Sequence, residues 1–138
     1  MDWRSTNKTK QSLFFQFLKS IDILVLSLQK NERMNTICPK ECKQKMQASN
    51  SIKVIDIREA FEYEFCNLGN DHVPMQTFLD NADDLDKTQT YVLMCRTGQR
   101  AEALANLLKC EKGMDNILVM AGGITGWKEK NDPSLILE

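Results

Sequence analysis

The segment Tyr91-Val-Leu-Met-Cys95-Arg96-Thr97-Gly98-Gln99-Arg100-Ala101-Glu102-Ala-Leu-Ala-Asn-Leu-Leu108 reads as a buried strand, an abrupt turn and a helix. Tyr91 to Met94 is a short apolar run, the pattern of a strand covered on both faces. From Ala101 the apolar positions Ala101, Leu104, Ala105 and Leu108 recur at i, i+3, i+4 and i+7, one face of a helix. Between them lies a six-residue loop, Cys95 to Arg100. Such a loop turns several backbone N–H groups into a small cup at a helix N-terminus, where the macrodipole favours an anion. A cysteine at its lip is expected to lean towards thiolate, the nucleophilic form. Gly98 is expected to take positive φ and so aim the amides inward.

The whole chain suits such a site. Its 138 residues make one domain by length, and 42% hydrophobic with 27% charged residues is an ordinary globular composition. A net charge of −1 argues against a general nucleic-acid binder. The charge is nevertheless uneven. Asp80, Asp83, Asp84 and Asp86 crowd one connection, whereas residues 88–101 hold two arginines and no acid. Five cysteines at irregular spacings (38, 42, 66, 95 and 110) do not make a disulfide framework, so a reduced, cytoplasmic compartment is expected. Only Cys38 and Cys42 are closely spaced and His72 is the single histidine, so no metal site is expected.

Residues 1–34 differ in pattern from the remainder of the chain and form an N-terminal extension. Phe14, Phe17, Leu18, Ile21, Val25 and Leu28 make a helical stripe, interrupted by Lys19 and Asp22. These charges argue against a membrane span and a signal peptide. The favoured reading is an amphipathic helix packing on its own domain or on a second subunit, over a membrane-surface helix. A natural start at Met34 is the third reading.

From residue 35 to 138 the pattern is regular. Short strands are expected at Thr36-Ile37, Ser51–Ile57, Tyr91–Met94 and Asn116–Met120, with a weak edge segment at His72–Met75. Helices are expected from Pro39 to about Met46, from Ala101 to a cap at Gly113, and after the glycine-rich turn Ala121–Trp127, with a short turn at Glu59–Tyr63. Residues 77–86 read as a helix or irregular connection. Strands alternating with helices imply an α/β fold with a mainly parallel sheet covered on both faces. Ligands in such sheets bind beyond the carboxyl ends of the strands, where Cys95 sits.

These residues together resemble the rhodanese-like family in its single-domain form. The resemblance rests on Val54-Ile-Asp56-Ile-Arg58-Glu59, Phe61-Glu-Tyr63, His72-Val-Pro74, Cys95-Arg-Thr-Gly-Gln-Arg100 and Gly122-Gly-Ile-Thr-Gly-Trp127, in the family's order. It covers residues 35–127. The resemblance implies a three-layer fold with a five-stranded, mainly parallel sheet and a cysteine that carries sulfur as a persulfide. Cys95 is then the sulfur acceptor, and Arg96, Thr97, Gly98, Gln99 and Arg100 form the substrate-binding loop. Asn70-Asp71 departs from the family, which commonly has a single glycine before the histidine.

The function so implied is a thiosulfate sulfurtransferase, passing sulfane sulfur to cyanide or a thiol without any cofactor. Arg96 is placed to attract a donor's sulfonate. Arg100 has two readings, an anion-binding or thiolate-stabilising group and a first-turn arginine paired with Asp56 or Glu59. A protein-partnered sulfur-delivery or interaction module is the alternative of a different class, with a protein as sulfur acceptor. Phosphatase or arsenate reductase is the minor alternative. Related phosphatases use Cys-x5-Arg, whereas the spacing here is Cys-x4-Arg, a tighter ring suited to sulfur, and no general acid can be assigned. His72, the Asp56–Arg58 pair, Trp127 and the other four cysteines are expected to be structural.

Overall fold

A computed structural model describes residues 16, 17, 21, 35–49 and 51–138. The chain divides into two units, Met1–Met34 and Asn35–Glu138. In the first, Phe17 and Ile21 are helical and exposed. The rest of the apolar stripe expected there lies outside the described residues. Among the described residues no helix is long and apolar enough to cross a membrane.

The second unit is an α/β fold. Strands β1 (Thr36–Ile37), β2 (Ile52–Asp56), β3 (Asp71–His72), β4 (Thr90–Met94) and β5 (Ile117–Met120) form one sheet in the order β1-β5-β4-β2-β3. Every pairing is parallel. The helices are α1 (Pro39–Ala48), α2 (Ala60–Phe65), α3 (Met75–Asp80), α4 (Gln99–Lys112) and α5 (Gly123–Asn131), with a 3₁₀ turn at Ala82–Asp84. The connection read as helix or irregular is therefore both in succession, and it starts two residues earlier than expected.

The two-residue period of a strand sends alternate side chains to opposite faces, and both faces are buried. Ile55, Tyr91, Leu93, Ile117 and Val119 meet Phe78 of α3 and Ala101, Leu104, Ala105 and Leu108 of α4. Val54, Val92, Met94 and Met120 meet Cys42 of α1 and Ile124 and Trp127 of α5. Val92, Leu93 and Met94 lose all contact with water. At about 1.5–3 kcal/mol each, they outweigh a surface pair such as Lys53–Asp71, worth about 0–1 kcal/mol. β4 is the centre of the sheet for this reason.

Local signals set the ends of the elements. Cys38 caps α1, its Sγ accepting from the Glu41 N–H at 3.4 Å, and Pro39 follows in the first turn. Cys42 lies fully inside, where burial pushes its thiol up to about 11. It packs as a small apolar side chain. Gly113 ends α4 in the left-handed conformation, its N–H donating to Leu108 and Lys109 carbonyls.

Asp56 and Arg58 brace the carboxyl end of β2. Arg58 Nε and Nη2 donate to Asp56 Oδ1 and Oδ2 at 2.9 and 2.7 Å, and both side chains are almost wholly buried. Arg58 Nη2 also donates to the Cys66 carbonyl at 2.7 Å, so one guanidinium ties β2 to the end of α2. The Arg58 carbonyl in turn lies 2.8 Å from His72 Nε2, and the His72 ring stacks on Tyr63 with centroids 4.4 Å apart. His72 is thus held on both its face and its edge. At the departure from the family's turn, Gly69 takes φ 73° and the Asn70 carbonyl accepts from Tyr63 Oη at 2.7 Å.

Removing one member of a buried ion pair strands the other. Arg58→Met or Asp56→Leu alone should cost about 3–5 kcal/mol, read as a lower urea midpoint. The double replacement should cost less than the sum of the two. Additive losses would mean that the side chains act separately.

Candidate active site

The site is built where β4 ends. Met94 is the last strand residue, and its carbonyl accepts from the Ile57 N–H at 2.9 Å. The chain then leaves the sheet at Cys95, whose side chain is buried. Helix α4 starts at Gln99, two residues before the apolar stripe predicts, so Gln99 and Arg100 belong to its first turn. Gly98 is the N-cap at φ 100°, a region suited to glycine. That conformation brings the Gly98 N–H to 3.0 Å from Cys95 Sγ. Among the expected ring of loop amides, it is the one that reaches the sulfur itself.

A second helix holds the loop from behind. The Ile124 N–H donates to the Cys95 carbonyl at 2.8 Å, and the Thr125 N–H to the Arg96 carbonyl at 3.1 Å. The helix comes this close because its first residue is glycine. A Cβ on Gly123 would lie 2.3 Å from the Cys95 carbonyl oxygen and 2.6 Å from that of Arg96. The motif Gly122-Gly-Ile-Thr-Gly-Trp127 is the rear wall of the site.

The predicted site residues separate into three settings. Cys95 and Gly98 are buried; Arg96, Thr97 and Gln99 are exposed; Arg100 lies between. Arg96 lines a cleft beside the loop together with Arg58, Glu62, Phe65, Cys66 and Ile124, bordered by Leu137 and Glu138. Arg96 has no carboxylate partner among the described residues, whereas Arg58 is consumed by Asp56. Cys66 packs, partly buried, against the core as a small apolar side chain, as expected, and also lines this cleft.

Arg100 makes an ion pair, but with an acid other than the two expected. Its Nη1 and Nη2 donate to Glu62 Oε2 and Oε1, both at 2.8 Å. Asp56 is occupied by Arg58, and Glu59 takes a different role. Glu59 is the N-cap of α2, and its N–H donates back to Glu62 Oε2 at 2.9 Å in a capping box. Glu62 therefore receives three N–H donors. Hydrogen bonding from Arg100 holds its carboxyl down to about 2, the Glu59 N–H adding in the same direction. The same contact raises Arg100, with a smaller contribution from Cys95, which is within electrostatic reach. The Glu62–Arg100 pair spans 38 positions of sequence and joins α2 to the first turn of α4.

Two substitutions test this framework. Gly123→Ala must relieve both the close approach and the positive φ, at about 2–5 kcal/mol of stability. Gly113→Ala, with open space around it, should lose only about 1–2 kcal/mol. Equal losses would show that Gly123 does not hold the loop. For Glu62, the folded pKa lies below the unfolded value of about 4.3. Its contribution is therefore complete above pH 5 and is lost as pH falls towards 2. With solvent screening, this is about 1–2 kcal/mol. Glu62→Gln should reduce stability at pH 7 and flatten its decline between pH 5 and 2, as read from urea midpoints. An unchanged acid profile would contradict the pairing.

The sequence profile of the rhodanese-like domain matches residues 39–130. YrkF of Bacillus subtilis, provisionally named a sulfur carrier protein, is 28% identical over 91 residues, 65% of this chain and 49% of YrkF. The chain thus spans about half the length of that relative. The thiosulfate sulfurtransferase GlpE of Actinobacillus succinogenes is 26% identical over 98 residues, 70% of this chain and 86% of GlpE. The crystal structure of a rhodanese-related protein from Thermoplasma volcanium superposes with a TM-score of 0.60 at 26% identity, covering 75% of this chain and 99% of that one. With its profile matched across more than half its length and the same fold in a solved relative, the chain belongs to the rhodanese-like domain family.

Proposed function

We propose that the protein is a sulfurtransferase that moves a sulfane sulfur from thiosulfate or a related donor to cyanide or a thiol, through a Cys95 persulfide. The observation that carries this reading is the Cys95 sulfur, set at the carboxyl end of the central strand and 3.0 Å from the Gly98 N–H at the start of α4. Sulfur transfer needs a soft nucleophile that also leaves as a stable anion, which a thiolate is and an alkoxide is not.

In the first half-reaction the Cys95 thiolate attacks the outer sulfur of thiosulfate. The new S–S bond forms as the old one breaks, and sulfite leaves with the electron pair. In the second, cyanide attacks the outer sulfur of the persulfide, thiocyanate leaves, and the pair returns to Cys95 as thiolate. The two steps share one enzyme intermediate, which makes the kinetics ping-pong. The Gly98 N–H donates to the charge on sulfur, with the amides of Arg96, Thr97 and Gln99 around the outer sulfur, the role an oxyanion hole plays for oxygen. Arg96, with no carboxylate partner among the described residues, binds the donor's sulfonate. Arg100, held by Glu62, positions the loop.

A second reading, delivery of sulfur to a protein partner, is favoured by the apolar side chains exposed beside the cleft. It shares the persulfide and differs in the acceptor.

Intact mass after thiosulfate tests the intermediate. Wild type should gain one sulfur, and Cys95→Ala none. Sulfur uptake by the variant, or none by wild type, would sink the Cys95 mechanism. Arg96→Ala should lower kcat/KM by about 10- to 100-fold with thiosulfate, and far less with a donor that lacks a sulfonate. An equal loss with both donors would contradict sulfonate binding.

A further inference from the structure

Edge strand β3 pairs with β2 only at Ile55 and Asp56, and β2 from Ile52 to Val54 runs on without a strand beside it. At that gap, on the α3 side of the sheet, lies a half-open cavity of about 430 Å³. Its apolar lining is Ile55, Val73, Phe78, Leu85 and Tyr91. Lys53, Asp71, His72 and Asn81 supply the polar lining, and Cys95 is no part of it. Protein interiors leave few voids larger than a water molecule, whereas small-molecule sites span about 300–1,000 Å³. By size the cavity is of the second kind. Ile55, Phe78 and Tyr91 belong to the buried core and hold their places with it. Sheet register sets Lys53 opposite Tyr91 and Ile55 opposite Asp71, and Phe78 meets Tyr91 edge-on with ring centroids 6.2 Å apart.

The polar groups keep hydrogen-bonding capacity that the protein does not use. Tyr91 Oη accepts from the Asp86 N–H at 3.2 Å, and its own proton has no acceptor among the described residues. Asn81 Nδ2 donates to the Thr77 carbonyl at 2.9 Å, which leaves Asn81 Oδ1 without a donor among the described residues. His72 Nε2 lies 2.8 Å from the Arg58 carbonyl, which only accepts, so the proton is on Nε2 and Nδ1 is left as an acceptor. Lys53 and Asp71 pair at 3.2 Å, so their charges cancel.

These features select a ligand. The Lys53–Asp71 pair offers no net charge to an anion or a cation. The rings of Phe78, Tyr91 and His72 suit a flat aromatic body. One unspent donor and two unspent acceptors match a group that accepts through oxygen and donates through nitrogen, as a carboxamide does. We propose that this cavity is a second binding site, separate from Cys95, for a small neutral aromatic molecule carrying a carboxamide. The ligand's carbonyl accepts from Tyr91 Oη, and its N–H donates to Asn81 Oδ1 or His72 Nδ1. The site stands independently of sulfur transfer.

The test is titration of the isotope-labelled full chain with benzamide, benzoate and cyclohexanecarboxamide, followed by backbone amide chemical shifts. Benzamide should bind with a Kd on the order of 1 mM, shifting Lys53, Ile55, Asp71 and Tyr91. Benzoate, which is charged, and cyclohexanecarboxamide, which is not aromatic, should each bind about tenfold more weakly. Tyr91→Phe should weaken benzamide about five- to tenfold. Asn81→Ala, at an exposed position, should weaken it about threefold or more and does not depend on the core tolerating a change. Urea midpoints of both variants separate lost binding from lost fold. No saturable shift with benzamide, shifts confined to residues away from the cavity, or equal affinity for the three probes would overturn the proposal. So would benzamide binding that neither folded variant weakens.

Discussion

Two hydrogen bonds from the start of α5, Ile124 N–H to the Cys95 carbonyl and Thr125 N–H to the Arg96 carbonyl, set the geometry on which the site depends. In a trans peptide the C=O and the following N–H point in opposite directions, and among the described residues no peptide is cis. Fixing these two carbonyls towards α5 therefore turns the amides of Arg96 and Thr97 away from it. The outward aim of these two amides is set by what is done to the carbonyls behind them. The requirement reaches back to Gly123, whose missing side chain permits the approach, and to Gly126, where a Cβ would lie 2.5 Å from the Ala121 carbonyl oxygen. The β5–α5 corner is thus as much a part of the site as the loop that carries the sulfur.

The arginines around the cleft are sorted by their partners. Arg58 is buried against Asp56 and serves the backbone. Arg100 is held two-pronged by Glu62 and serves the helix junction. Arg96 alone of the three lacks a carboxylate among the described residues, and it faces the cleft. A charge-assisted hydrogen bond contributes about 1.5–3 kcal/mol, but only if the charge is not already spent on a neighbour. By that measure, an incoming anion has most to gain from Arg96. Fixed pairs on either side keep the other two guanidinium groups from competing for it.

Much of this was legible because it is local. The apolar run Tyr91–Met94, the i, i+3, i+4, i+7 stripe from Ala101 and the signals at Pro39 and Gly113 are short-range, and each element formed within two residues of where they place it. Positive φ at Gly98 comes from the same reasoning. What escaped depends on pairing across the fold. Glu59 and Glu62 form a capping box that their spacing already allows, yet nothing local says that Glu62 also receives Arg100. Asp56 forms the pair with Arg58 that the sequence suggests, which leaves it unavailable to Arg100. The early start of α4 at Gln99 escaped because its first turn carries no apolar side chain. Cys66 reads as a packing residue, and only the path of α2 puts it on the cleft.

The order of strands has a consequence for how the molecule comes apart. β4 is flanked on both sides by hydrogen-bonded neighbours, whereas the edge strands β1 and β3 are two residues long. Edges fray at small free-energy cost, and a central strand opens only with the whole domain. Cys95 therefore hangs from the part of the structure that opens last. Helix α2 hangs instead from side-chain contacts, Tyr63 on His72 of the edge strand β3, Arg58 on the Cys66 carbonyl and Glu62 on Arg100. The Cys95 sulfur and helix α2 thus belong to parts of the fold held by different forces, the first by backbone pairing and buried apolar packing, the second by side-chain contacts alone.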